Sequence, residues 1–368
     1  MKIARISVFR VMLPLKEGSY KWSGGKGVTE YDSTVIRVDT DAGVTGWGEC
    51  VPLGPVYLPS YAPGVRTGLR ELGPALIGLS PLRLPQLNRA MDAALKGHNY
   101  VKSAVDIACW DILGKVTGQP VCTLLGGRYG DSFPVYRAVS LGTPDAMVAR
   151  AAEYRAQGLA HFQLKVGSSV DEDIARIGAV SEAAAPGDVV VADANTGWLR
   201  HEAMRVVHAV SHLGNVYIEQ PCLSYDECLS IRRHCPLPFV LDECIDSIDA
   251  LIRAHADHAL DAVNIKVSRV GGLTRAREFR DLCGHLGIPM TVEDTAGSSI
   301  AMAAVAHLAH STPPELLFSC AAHNERVTLV TAEGAPRMTD GRMSASTAPG
   351  LGVEPIMDAL GAPLFEIA

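Results

Sequence analysis

Alternation of apolar and polar residues along Ile3–Leu13 predicts a first strand. The β-rich segment Ser33–Thr40, the turn Asp41-Ala42-Gly43 and Val44–Glu49 then read as an antiparallel continuation, a meander. The period lengthens after that. Helical spacing runs from about Gly64 to Ile77, Pro85 to Leu95 and Tyr100 to Thr117. From about Phe133 the rhythm changes again, and short β-branched runs alternate with helical segments. The runs are Pro134–Val139, Phe162–Val166, Val189–Asp193, Val216–Glu219, Phe239–Asp242, Val263–Val267, Met290–Glu293 and Leu316–Ser319. Their starts lie roughly 23 to 28 residues apart, room for one helix between strands, so the strands are expected to be parallel. Eight such units in about 190 residues predict a closed (β/α)8-type barrel. No G-x-G-x-x-G follows the first run, so a doubly wound sheet ranks well below.

Composition narrows the function classes. Of 368 residues, 48% are hydrophobic and 20% charged, which excludes a disordered chain. The net charge is −7 with Lys and Arg scattered, so no basic stripe for nucleic acid is expected. No apolar run is long enough for a membrane span, and the opening MKIARISVFR lacks a signal peptide's apolar core. The nine Cys form no C-x-x-C and fit no zinc spacing; reduced, buried thiols in a cytoplasmic protein are expected. The H-x-x-H pairs His255/His258 and His307/His310 lack the carboxylate of a metalloprotease frame and are read as surface or packed residues.

The chemistry lies at the ends of the barrel runs. Lys165, Asp193, Glu219, Asp242, Lys266 and Asp294 each stand at or near the end of a successive run, one βα unit apart. In a parallel barrel that position is the C-terminal rim, where catalytic groups sit. Asp193, Glu219 and Asp242 belong to three adjacent units. Three converging carboxylates repel unless a cation neutralises them, and oxygen-only ligands favour Mg²⁺ over zinc. Lys165 and Lys266, from units two and six, would flank a ligand bound there. A cation nearby lowers a lysine's pKa and suits it to act as a general base.

The motifs around these residues resemble the muconate lactonizing enzyme-like branch of the enolase superfamily. The matching pieces are V-D-x-D-x-G-x-x-G-W-G-E (Val38 to Glu49), A-V-D-I-A-x-W-D-I-L-G-K (Ala104 to Lys115), Q-L-K-V-G (Gln163 to Gly167), D-A-N (Asp193 to Asn195), I-E-Q-P (Ile218 to Pro221), D-E (Asp242, Glu243) and I-K-x-S-R-V-G-G-L-T (Ile265 to Thr274). The resemblance implies an α/β chain: a (β/α)7β TIM-like barrel over residues 126–345 and an α+β capping domain over 1–125. A tail, 346–368, would pack back on the cap. It implies Asp193, Glu219 and Asp242 on Mg²⁺, Lys165 and Lys266 as acid/base groups, an enediolate intermediate and an even-numbered homo-oligomer.

Two departures refine this. The family often carries K-x-K on the second strand; here the first Lys is Gln163, which would offer an amide to the substrate. The mandelate racemase-like branch would place a His base on strand seven, where this chain has Glu293-Asp294. The cap loops Glu17–Lys26, flexible and carrying Tyr20 and Trp22, and Val51–Tyr61, carrying Tyr57, would set specificity. Trp22, Tyr57, Gln163, Asn195 and Asp294 are the expected substrate contacts. G-P-V-Y at 54–57, Gln163 and G-H-N-Y at 97–100 resemble the superfamily's proline-type group. That implies a small amino-acid carboxylate substrate, with aromatic rings beside its cationic nitrogen. The implied activity is dehydration of cis-3-hydroxy-L-proline to Δ1-pyrroline-2-carboxylate with proline-type 2-epimerisation. Epimerisation of proline betaines alone, and dipeptide epimerisation or cycloisomerisation, are the alternatives. A barrel that has lost catalysis is a further one, against which the intact lysines and carboxylates speak.

Overall fold

The computed structural model describes residues 1–368 as two layered units. The first is an antiparallel sheet. Strand β1 (Ile3–Pro14) pairs with β2 (Glu30–Thr40), and β2 pairs with β3 (Thr45–Cys50). Three helices cover it: α1 (Ala62–Leu72), α2 (Leu84–Ala94) and α3 (Asn99–Thr117). The periodicity located the second and third to within a residue and ran the first five residues past its end at Leu72.

The second unit is the barrel. Its strands are β4 (Tyr136–Val139), β5 (His161–Lys165), β6 (Val189–Asp193), β7 (Val216–Glu219), β8 (Phe239–Leu241), β9 (Ala262–Lys266), β10 (Met290–Glu293) and β11 (Leu317–Cys320). They pair in sequential order, all parallel. A parallel bridge between Tyr136 and Ala321 joins the first strand to the last and closes the cylinder. Between them run α4 (Pro144–Arg155), α5 (Val170–Glu182), α6 (Arg200–Val210), α7 (Tyr225–Arg232), α8 (Ile248–Ala256), α9 (Leu273–Leu286) and α10 (Ser299–His310). Seven helices between eight strands make this a (β/α)7β barrel. One detail differs from the sequence reading. The first run is split: Phe133 and Pro134 leave the barrel and pair antiparallel with Met343 and Arg342. After the barrel the chain returns, and β12 (Phe365–Ile367) adds antiparallel to β1.

The motif residues outside the rim turn out to be joints between the units. Helix α3 is buried nearly all round because it lies between the first sheet and the barrel. Its Asp106 accepts from Thr274 N (2.9 Å) and Asn88 Nδ2 (2.7 Å). Its Asp111 accepts from Trp47 N (3.0 Å) and Leu351 N (2.8 Å) and is paired by Lys115 (2.7 Å). Gly48 is required because a Cβ there would come within 1.9 Å of Ala104 O. Buried Glu49 reaches the start of α10 and accepts from Ala301 N (2.8 Å) and Ser298 Oγ (2.8 Å). A carboxylate on those free N–H groups is favourable. The HxxH pairs are structural: His255 and His258 are exposed, while buried His307 accepts from Cys122 N (3.1 Å). All nine cysteines are free, and only Cys244 is not fully buried. No helix is long and apolar enough to cross a membrane.

Candidate active site

Strand register brings the rim residues together. Lys165 lies level with Asp193, and Asp193 level with Glu219. Lys266 lies level with Glu293 on the far side. Lys165 comes from the second strand and Lys266 from the sixth of eight, so they face each other across the mouth. All five of Lys165, Asp193, Glu219, Asp242 and Lys266 are buried. A cavity of about 30 Å³ lies between the lysines. Its wall includes Tyr20, Trp22, Leu53, Tyr57, Tyr136, Gln163, Asn195, Asp294, Thr295 and His323. A larger hollow, about 610 Å³, opens beside it against α1 and α3. That hollow holds neither lysine, so the chemistry belongs to the small cavity.

Each carboxylate has its own partners. Lys165 Nζ is paired with Asp193, whose other oxygen accepts from Asn195 N (2.8 Å). Lys266 Nζ is paired with Asp242 and with Glu293 (2.7 Å). Arg269 Nη1 donates to Asp242 (2.6 Å), and the Tyr57 hydroxyl donates to it at 3.3 Å. Glu219 is held only by amides: Gln163 Nε2 donates to both of its oxygens (3.0 and 3.1 Å) and Asn264 Nδ2 to one (2.8 Å).

These partners set the protonation. Burial pulls the lysine pKa values down, but the facing carboxylates outweigh it. Lys165 is raised well above the ordinary lysine range by Asp193, and Lys266 is raised by Asp242 and Glu293. The lowering expected from sequence belongs to lysines beside a bound cation; here the nearest groups to each lysine are anions. Burial, and then Asp193 and Asp242, push Glu219 well above the carboxylate range. Burial acts upward on Asp242 too, yet Lys266 and Arg269 hold it low. Burial and the neighbouring Asp242 push Glu243 up to about 7.

The donor set fits a hard divalent cation. Lys165, Lys266 and Arg269 are three cations facing five carboxylates: Asp193, Glu219, Asp242, Glu243 and Glu293. Buried Glu219 has no ion pair, and buried charge without compensation is costly. No group of three such side chains is drawn in to ligand distance; Lys165 is paired with Asp193, and Lys266 and Arg269 with Asp242.

The expected substrate contacts fall unevenly. Trp22, Tyr57, Gln163, Asn195 and Asp294 all line the cavity. Trp22 is packed rather than exposed: it is 1% exposed, stacks on Tyr20 (5.6 Å) and follows a short strand, Tyr20–Lys21, paired with Gly27–Val28. Gln163 Nε2 is taken by Glu219, which leaves its Oε1 without a protein partner. Asn195 Nδ2 donates to Glu243 (2.9 Å), and Asp294 holds Ser268 N (3.0 Å) and Thr295 N (2.7 Å). Sequence reasoning missed Tyr136, Arg269, Gln220 and His323. Gln220, at φ 35, accepts from Asp242 N (2.9 Å) and so steers that carboxylate. Asn195 is also left-handed, at φ 41. Such strain, roughly 1 kcal/mol or more per residue, persists where surrounding bonds enforce it, commonly at functional sites.

A model of the enolase C-terminal domain-like family matches residues 146–359. A model of the mandelate racemase/muconate lactonizing enzyme N-terminal domain matches residues 23–126. The chain belongs to the enolase superfamily, in its mandelate racemase/muconate lactonizing enzyme group. It is 56% identical to the cis-3-hydroxy-L-proline dehydratase of Roseibium aggregatum, over 99% of both chains. It is 33% identical to the N-succinyl-L-Arg/Lys racemase of Bacillus cereus, covering 84% of this chain and 85% of that one. A mandelate racemase/muconate lactonizing enzyme-type crystal structure from Roseovarius nubinhibens, complexed with magnesium, superposes with a TM-score of 0.97 at 38% identity over all of both chains. The protein is thus an enzyme of a superfamily whose members here include a dehydratase and racemases.

Proposed function

We propose that this enzyme removes the α-proton of a proline-type amino acid and dehydrates cis-3-hydroxy-L-proline, with 2-epimerisation of prolines as a side activity. The observation that carries the reading is the pair of buried lysines on opposite walls of one cavity, with three buried carboxylates on adjacent strand ends between them, two of them paired with those lysines. The 56% identity to a cis-3-hydroxy-L-proline dehydratase supports the choice of substrate.

Asp193, Glu219 and Asp242 would hold Mg²⁺, which when bound supplies positive charge against the substrate carboxylate. The chain's own residues do the rest. Lys165 and Lys266 address the two faces of the substrate's Cα. One takes the α-proton; the other returns a proton for epimerisation or assists the departing hydroxyl. In cis-3-hydroxy-L-proline the hydroxyl and carboxylate share a face, so the α-proton lies opposite the hydroxyl. Two opposed lysines suit that anti elimination. Tyr20, Trp22, Leu53 and Tyr57 line the cavity from the cap and would exclude water from it.

The metal assignment has a direct test. Asp193→Asn, Glu219→Gln and Asp242→Asn should each weaken Mg²⁺ binding by calorimetry and abolish turnover, with circular dichroism unchanged. Full activity in a chelator-stripped sample would refute the assignment.

A further inference from the structure

His323 lies past the last barrel strand, in a short turn spanning His323–Arg326, and lines the same cavity as the cap aromatics. Its Nε2 is 2.8 Å from the backbone oxygen of Asp294. A carbonyl oxygen only accepts, so the proton sits on Nε2. In the neutral ring Nδ1 then carries a bare lone pair, and no protein group donates to it. Protonation would destroy that lone pair. Burial, followed by the nearby Arg326, Lys266 and Lys165, opposes it and lowers the His323 pKa to about 3. The ring is 8% exposed, held on one side and free on the other.

Several other polar groups of the wall are committed. The Tyr57 and Tyr136 hydroxyls donate to Asp242 and Glu293. Asp294 is occupied by Ser268 and Thr295. Thr295 Oγ1 is shared with Tyr100 at 2.7 Å. His323 Nδ1 is therefore a neutral acceptor facing a space already lined by Tyr20, Trp22 and Tyr57. Those rings favour a cation of any substitution. A lone pair does not: it rewards a nitrogen that still bears hydrogen. We infer that His323 is a specificity-determining residue whose Nδ1 accepts an N–H from the substrate ammonium, so the site selects amino acids with at least one N–H over quaternary betaines. This rests on the proline-type reading above and narrows it.

The test uses the Mg²⁺-loaded enzyme with L-proline and its N,N-dimethyl betaine. Calorimetry gives affinity and NMR in D₂O gives α-proton exchange. The wild type should favour L-proline by about 10- to 100-fold, the value of one hydrogen bond from a charged donor. His323→Phe should erase most of that preference, and His323→Asn, which keeps an acceptor, should retain part of it. Melting curves identify any variant that does not fold, and the Asn variant then carries the test. Equal affinity of the wild type for both ligands, or a preference that survives His323→Phe, overturns the inference. Discriminating binding with no exchange would overturn the proline-type activity and leave the His323 role standing. Binding of neither ligand overturns both.

Discussion

The two walls of the cavity carry the same residue type in different company. Each lysine lies near a cap phenol at almost the same distance: Lys165 Nζ is 6.0 Å from the Tyr20 ring and Lys266 Nζ 5.9 Å from the Tyr57 ring. Their acidic partners differ. Lys165 has Asp193 alone, one of the three proposed metal ligands. Lys266 has Asp242 and also Glu293, which is not a proposed ligand. Glu293 is fixed in turn by the Tyr136 hydroxyl, reaching in from the first barrel strand. Arg269 braces the same wall through Asp242. The charge of Lys266 is thus tied to groups outside the ligand set, and that of Lys165 is not. Two lysines that look interchangeable in sequence occupy unequal electrostatic settings and should not exchange roles.

The largest expected effect comes from the lysines themselves. Lys165→Ala and Lys266→Ala should each lower turnover by about 10²- to 10⁴-fold, the usual weight of a positioned acid or base. The two should fail differently. On an L-substrate in D₂O, loss of the lysine on the α-proton face should abolish exchange, epimerisation and elimination together. Loss of the opposite lysine should block epimerisation and leave exchange measurable. Identical profiles for the two variants would break the asymmetry.

A smaller effect isolates one wall. Glu293→Gln and Tyr136→Phe disturb Lys266 without touching Lys165 or the proposed ligands. Each should reduce kcat by roughly tenfold, order-of-magnitude for one strong buried hydrogen bond, with KM changed less. Steady-state kinetics on the identified substrate checks this, and wild-type kcat in both variants would remove Glu293 from the account. The metal affinity of these variants should stay within about threefold of wild type, well under the value of one such bond.

The smallest effect is expected at the cap. Tyr57→Phe removes only a 3.3 Å contact to Asp242 and should raise KM by a few-fold, about 1 kcal/mol. Trp22→Ala empties a fully buried site, so stability should fall too, by about 3 kcal/mol or more. Thermal melts beside kinetics separate the two variants. If Trp22→Ala leaves the melting temperature unchanged, its packing role is wrong.

The contrast between walls also marks how far sequence reaches. Rim residues were legible because a βα repeat fixes their spacing and charge at a strand end has few structural uses. Register then had no freedom to place them elsewhere. Tyr136 was not legible, since an aromatic residue in a strand reads as core and its partner Glu293 is 157 residues away. Arg269 sits in the turn after Lys266, where sequence does not show that the chain doubles back onto Asp242. Gln163 reads in sequence as a group for the substrate, yet its amide nitrogen turns inward to Glu219, a contact across strands that sequence does not show. Trp22 reads in sequence as a loop residue, and its burial was not legible because loop burial leaves no periodic signal. His323 follows the last strand in an irregular turn and left no pattern at all.

The central claim is α-proton chemistry by two opposed lysines on a proline-type substrate. It is tested most directly by proton NMR in D₂O of the Mg²⁺-loaded enzyme with cis-3-hydroxy-L-proline. The account predicts loss of the α-proton signal and appearance of Δ1-pyrroline-2-carboxylate in the wild type. It predicts neither change after metal removal, and no elimination in the lysine variant that lacks the base on the α-proton face. Full exchange and elimination in both Lys165→Ala and Lys266→Ala would contradict it.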